Sequence, residues 1–277
     1  MLKRPASPQE LPVNLPVFPL SGALLLPYSH RPLNVFEPRY VAMVDHALAG
    51  NRLIGLIQPE DTSEESPRGR APLQKIGTVG RLTHWEENGE GRYFIILEGV
   101  SRFELVSELT VRTPFRQAVI DASTFALDFE RAHGEEGVDR PRFLKMMKDY
   151  AEFANFELNW DEIDKTGTAD LVNFCCMVSP YGAREKQVLL EARSLEDRAE
   201  TLIAMAEYEM AKGGAGASLR PLRIFSRMAA RESVIFCALS IAPGNWTPPV
   251  WRDRARRTSR SGPASGEGVP NVRRWRA

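Results

Sequence analysis

Hydrophobic positions between Leu15 and Leu48 change spacing part-way along. LPVF (Leu15–Phe18) reads as a short strand, and SGALLLPYSHRP (Ser21–Pro32) as an apolar loop crossing the body. LNVF (Leu33–Phe36) reads as a second strand. Pro16, Pro19 and Pro27 interrupt the apolar run, and proline lacks a backbone donor, which confines it mostly to strand ends, edges and bends. Glu37-Pro38 opens a helix: Pro38 suits the first turn, where a missing N–H costs nothing, and Glu37 suits the positive helix end. Val41, Val44 and Leu48 then recur at helical spacing, and Gly50-Asn51 stops the element.

Downstream the period is that of strands. RLIGLIQP (Arg52–Pro59) predicts a buried strand ended by proline. EDTSEESPRGRAP (Glu60–Pro72) has no periodicity and predicts a surface loop. KIGTVGRLTHWEE alternates through Ile76, Val79, Leu82 and Trp85, with Gly77 and Gly80 pointing to a bulge or a close backbone approach. Asn88-Gly89 is a hairpin signal, and RYFIILEGVSRFELVSEL returns as a long strand bent at Gly99. PFRQAVI (Pro114–Ile120) adds a strand, for about six in all with one helix inserted, as in a small, partly closed barrel.

From Arg140 the period becomes helical. Phe143, Met146, Met147, Tyr150, Phe153 and Ala154 mark a first helix. LNWDEID reads as a loop with a cap at Asp161 or Asp164. TADLVNFCCMVSP is a second helix stopped by Pro180, and GAREKQVLLEA a third. SLEDRAETLIAMAEYEMAK is a fourth, capped by Ser194 with Asp197 in its first turn, and with Leu202, Met205 and Ala206 inward.

Several of these segments, in this order, resemble the N-terminal, substrate-binding domain of the ATP-dependent Lon proteases. The opening LPVFPL, the LLP loop, LNVFEPRY and the amphipathic helix carry the likeness first. Ile76-Gly77-Thr78-Val79-Gly80 and Leu97-Glu98-Gly99-Val100-Ser101-Arg102-Phe103 carry it through the β region. Asn173, Pro180, Lys186-Gln187-Val188-Leu189-Leu190-Glu191 and Arg198 carry it into the helices, so that it spans roughly residues 12–212. The resemblance implies an α+β fold: a PUA-like β-barrel with one inserted helix, followed by a four-helix α domain. It also implies recognition of polypeptide. The expected organisation is a flexible lead-in over 1–13, a barrel over 14–122, a linker over 123–139, helices over 140–212 and an atypical basic tail over 213–277.

Composition changes this picture in one place. The chain has 277 residues, 36 Lys+Arg and 36 Asp+Glu. Residues 1–212 hold 24 basic and 33 acidic side chains, whereas residues 213–277 hold 12 arginines, no lysine and 3 acids. An acidic body repels phosphates, which disfavours nucleic acid as a partner. The tail, with its arginines, three tryptophans and prolines, does not continue the resemblance. It has the composition expected of GC-rich DNA read out of frame. No apolar run reaches the ~18 residues of a membrane span, and the start has no secretory pattern. With three cysteines and no disulfide framework, the predicted compartment is a reducing cytoplasm.

No catalytic set emerges. There is no G-x-x-x-x-G-K-[ST] phosphate loop, and 277 residues leave no room for an ATPase or protease module beside the barrel and helices. His30, His46, His84 and His133 lack ligand spacing, and Cys175-Cys176 sits in an apolar helix. Ser21-Gly22 lacks a nucleophile-elbow frame, and the Glu64-Glu65, Glu86-Glu87 and Glu135-Glu136 pairs read as solvated. Neither a cofactor nor a metal is expected. What remains is a surface for unfolded or extended polypeptide, with Leu24, Leu25, Leu26, Tyr28, Phe36 and Tyr40 as candidate contacts. A protease is the expected partner. The rival reading is an RNA-binding PUA-like module, separable by a salt-dependent gel shift with and without residues 213–277.

Overall fold

Six strands and their ladders explain the first half of the chain. The computed structural model describes residues 3–60, 71–88, 91–155 and 157–213, all within Met1–Leu239, the first of two units into which the chain divides. The strands are β1 (Asn14–Pro19), β2 (His30–Val35), β3 (Leu53–Ile57), β4 (Ile76–Glu87), β5 (Tyr93–Glu108) and β6 (Arg116–Asp121), with helix α1 (Pro38–Ala49) between β2 and β3. The sheet order is β2-β5-β4-β3-β1-β6, and β6 also pairs with β5, which closes five strands into a ring. Among the described residues, β2 pairs with one strand, β5.

β1 and β3 are buried nearly throughout, as strands covered on both faces must be. β1 tolerates Pro16 because its two ladders are offset. β6 pairs with Asn14–Val17 and β3 with Val17–Pro19, so the missing donor falls before the β3 ladder begins. The expected bulge is present: the β4–β5 register shifts between Val79 and Gly80. At Gly99 two segments approach closely, since a Cβ there would lie 2.0 Å from the carbonyl oxygen of Leu26. The predicted loop over Glu60–Pro72 and the turn at Asn88-Gly89 fall largely outside the described residues, as do Gly214 onward, Cys237 and the arginine-rich tail.

Helix α1 begins as predicted, with Glu37 as the residue before it and Pro38 in its first turn. Its buried face is Tyr40, Met43, Val44 and Ala47; of the predicted Val41, Val44 and Leu48, Val44 is buried and the other two are only partly covered. After short three-ten turns at Ser123–Phe129 and Glu135–Gly137 come α2 (Arg140–Ala154), α3 (Trp160–Lys165), α4 (Thr168–Val178), α5 (Ala183–Glu191) and α6 (Leu195–Gly213). The four predicted helices are therefore five among the described residues. LNWDEID, read as a loop, forms most of α3, whose first turn Asn159 caps by accepting from the Glu162 N–H at 3.3 Å. At six residues, with only Ile163 buried, this helix is too short to show a period. Ser194 caps α6 as expected, its Oγ accepting from the Asp197 N–H at 2.9 Å.

The Leu24–Leu26 segment holds barrel and helices together. Leu24 and Leu26 belong to the same core as Phe143, Leu171, Leu189 and Leu202 from the helices. Leu25 points the other way, into a core with Val44, Ile54, Leu82 and Leu97. Its carbonyl accepts from Thr78 Oγ1 at 2.7 Å, and the next turn exchanges Tyr28 N–H and Gly99 N–H with Gly99 and Ser29 carbonyls at 2.8 and 2.9 Å.

Candidate functional site

The six side chains predicted to contact polypeptide do not gather on one surface. Leu24, Leu25 and Leu26 are at most 1% exposed, so they form no apolar patch. An extended segment with hydrophobic cores on both sides buries alternate side chains in each, as a covered strand does. Tyr40 is also buried, its ring 4.4 Å from that of Phe18. Phe36 is 65% exposed, between the end of β2 and the start of α1. Beside it Arg39 donates Nε to Glu37 at 2.8 Å and stacks over the Tyr40 ring at 4.5 Å. Of the six, Phe36 is exposed and Tyr28 half-buried.

Tyr28 adopts φ 62°, unusual for a non-glycine residue, and the guanidiniums of Arg4 and Arg131 lie over its ring at 3.8 and 5.7 Å. Its hydroxyl donates to the Phe129 carbonyl at 2.5 Å. The ring lines a cavity of about 190 Å³ between the barrel, residues 127–134 and the beginnings of α4 and α6. Behind this cavity two arginines are buried. Arg102 donates to both carboxylate oxygens of Asp128 at 2.8 and 2.9 Å and to the carbonyls of Leu190 and Ala192 at 3.2 and 2.6 Å. Arg198 donates to the Leu189 carbonyl at 3.0 Å and to Asn173 Oδ1 at 2.9 Å, and Asn173 in turn donates to the Pro27 carbonyl at 3.4 Å. Burial, and then the neighbouring Arg102 charge, pull the Arg198 guanidinium down to about 10.

The polar residues that carried the family resemblance into the helices, Asn173, Lys186, Gln187 and Arg198, are such struts. Gln187 on α5 donates to the Ile76 carbonyl at 3.1 Å and accepts from Gln58 Nε2 at 3.0 Å, and Gln58 also accepts the Gly22 N–H at 2.8 Å. Lys186 is buried and donates to the Met177 carbonyl at 3.2 Å. Sequence reasoning missed the cavity and its rim, Arg131, Arg193 and Asp128. One signal was available: Arg102 within a buried strand and Arg198 on the apolar face of α6 are charges where periodicity expects core.

Among the described residues no three His, Cys, Asp or Glu side chains are placed to hold a metal ion. Cys176 is fully buried, and burial pushes its thiol up to about 12, away from the reactive thiolate. Among the described residues no helix is long and apolar enough to cross a membrane.

Comparison with known proteins places these struts and strands in a family. Residues 14–207 match the model of the ATP-dependent protease La (LON) substrate-binding domain. A Lon protease of Flavobacterium johnsoniae is 26% identical over 211 residues, covering 74% of this chain and 25% of that protein. Lon protease 2 of Myxococcus xanthus is 32% identical over 114 residues, covering 41% of this chain and 14% of that protein. The chain thus spans a quarter or less of the length of these relatives. The solved N-terminal domain of a Mycobacterium avium complex Lon protease superposes with a TM-score of 0.53 at 14% identity, over 70% of this chain and 98% of that one, a likeness of fold. With the family model matched over most of its length, the chain belongs to the LON substrate-binding domain family.

Proposed function

We propose that this chain binds unfolded or extended polypeptide without cleaving it and passes it to a partner protease, as an adaptor in protein quality control. The observation that carries this reading is the family match over residues 14–207, which falls on a substrate-binding domain rather than on an ATPase or protease module. The cytoplasm is the compartment that fits it. The surface that suits an extended segment is the edge of β2 that no other described strand pairs with, together with Phe36, because an added strand gains backbone hydrogen bonds and an exposed aromatic gains apolar burial. Pro32 removes one backbone donor from β2, which limits pairing with a second copy of the same edge.

The experiment is a titration of fluorescently labelled, reduced and carboxymethylated α-lactalbumin with the full chain and its Phe36→Asp variant. Binding weakened about tenfold in the variant supports the β2 edge as the contact, since losing one well-buried aromatic anchor costs about that much. Equal binding by both proteins rejects that surface. The same mixtures, held with and without ATP and run on a denaturing gel, report on catalysis: fragments of α-lactalbumin would overturn the non-catalytic reading.

A further inference from the structure

The ladder between β2 and β5 decides which backbone groups of β2 face outward. The Gly99 N–H donates to the Ser29 carbonyl at 2.9 Å, and the register then runs without a shift from His30↔Glu98 to Val35↔Tyr93. Antiparallel pairs alternate between hydrogen-bonded and non-hydrogen-bonded. Counting in twos from Ser29, the residues bonded to β5 are Arg31, Leu33 and Val35. The other side of β5 agrees. The Asn88 N–H donates to the Arg92 carbonyl at 3.1 Å, which makes Glu86 with Phe94 and His84 with Ile96 the bonded pairs towards β4. Tyr93, Ile95 and Leu97 are thereby left to bond β2. The backbone groups of His30, Pro32 and Asn34 therefore point away from β5, and nothing bonds to them among the described residues. Pro32 stands where its missing N–H breaks no ladder bond, the place proline takes in an edge strand.

This edge thus offers three acceptors, the carbonyls of His30, Pro32 and Asn34, against two donors, the N–H groups of His30 and Asn34. It calls for a chain that supplies N–H groups at every second residue. The side chains add a second condition. Val35 is buried and Leu33 packs on the same core, so Arg31, Leu33 and Val35 lie on the barrel side, while His30, Pro32 and Asn34 lie on the outer face. Residues directly opposite each other in a ladder share a face. In an added strand, the residues bonded to His30, Pro32 and Asn34 would face water, and those between them would lie beside half-buried Leu33. A second copy of this chain fits the edge less well. Two β2 strands crossing about Pro32 set proline against proline and lose both bonds of the central pair, whereas a foreign segment loses one.

We propose that the β2 edge takes an extended client segment of alternating polar and apolar residues, through the carbonyls of His30, Pro32 and Asn34 and the N–H groups of His30 and Asn34, and that Pro32 sets this choice by disfavouring a second copy of the same edge. The proposal deepens, and rests on, the polypeptide-binding reading above. Such alternation marks the half-buried strands of folded proteins. Its backbone groups are paired while a protein is folded and come free when it unfolds, so the edge reads the unfolded state through the main chain.

The test uses a short labelled peptide of alternating valine and threonine with lysines at both ends, titrated with the full chain. It is made unmodified, N-methylated at every valine, and N-methylated at every threonine. Methylated valines are expected to leave the affinity within about twofold, because those amides face away from β2. Methylated threonines are expected to weaken it by roughly tenfold or more, the loss of several backbone bonds. Pro32→Ala restores an outward N–H without touching the β5 ladder. It is expected to bind the unmodified peptide roughly fivefold more tightly, and to self-associate more strongly than the unaltered chain in sedimentation. Equal binding of the two methylated forms overturns the edge while leaving the polypeptide reading standing. Unchanged affinity and association in Pro32→Ala overturn the role of Pro32. Native-state amide exchange without peptide reads the edge by itself: fast at His30 and Asn34, slow at Leu33 and Val35. That alternation with no binding of any peptide form overturns the polypeptide reading and the client assignment with it.

Discussion

Arg102 on β5 and Asp128 on the segment after β6 meet in a two-point ion pair, Nε to Oδ2 at 2.9 Å and Nη2 to Oδ1 at 2.8 Å, with both side chains less than a tenth exposed. The same carboxylate also accepts the Arg102 backbone N–H at 2.8 Å. Truncating one partner of such a pair strands a charge out of water. Asp128→Ala is therefore expected to destabilise the chain by about 3–5 kcal/mol in urea unfolding. The double variant Asp128→Ala, Arg102→Met should recover only part of that, because it orphans the carbonyls of Leu190 and Ala192. Complete recovery would show that those two bonds contribute nothing.

Two glycines separate crowding from backbone conformation. Gly22 has φ +71° with open space around a would-be Cβ, so Gly22→Ala should cost only the left-handed penalty of about 1–2 kcal/mol. Gly99→Ala drives a methyl into the Leu26 carbonyl and should cost about 3 kcal/mol or more. Chemical denaturation of the two variants side by side checks the order, and equal losses would contradict the close approach.

Leu26 and Phe36 separate architecture from surface. Leu26→Ala removes a fully buried side chain from the core shared by barrel and helices, and should cost about 2–5 kcal/mol. Phe36→Ala should leave stability within about 0.5 kcal/mol while weakening polypeptide binding. Unfolding midpoints and binding isotherms on the same samples distinguish the two.

Tyr93 gives a dependence on alkaline pH. Its hydroxyl donates to Asp45 Oδ1 at 2.7 Å, and that bond, with some desolvation, pushes it from an ordinary 10.0 up to about 12. The folded state thus holds the phenolic proton to higher pH than the unfolded state does. This contribution is complete below pH 10 and is lost as pH rises toward 12. Tyr93→Phe should fall less steeply than the unaltered chain in urea midpoints taken across that window. Tyr150 and Tyr181, also raised, remain in both proteins and cancel in the comparison.

Cys176 should be silent to thiol reagents. At 0% exposure and with its thiol raised by burial, it is expected to stay unmodified by iodoacetamide at neutral pH until denaturant is added, as read by mass spectrometry. Modification under native conditions would mean that α4 opens far more often than its packing implies.

Much of the barrel was legible because strand periodicity and glycine placement act locally: the ends of β3, the bulge at Gly80 and the cap at Ser194 lie within a few residues of what produces them. A partly closed barrel was expected, but the pairings that close it were not legible, since Asn14 and Val119 pair across most of the domain and no local pattern reports it. Helix α3 escaped because its single buried residue cannot display a period. The leucines of the Leu24–Leu26 segment misled for a related reason. Composition says that such residues need covering, but not that helices more than a hundred residues later will cover them. The cavity was invisible for the same reason, being assembled from Tyr28, Asp170 and Arg193.

That distance has a consequence for how the protein is made. Leu24 and Leu26 leave the ribosome long before Phe143, Leu171, Leu189 and Leu202, the side chains that shelter them. During synthesis the nascent barrel carries an uncovered greasy segment until α6 is complete. A fragment ending near residue 130 would keep that segment bare and would itself look like a client for chaperones.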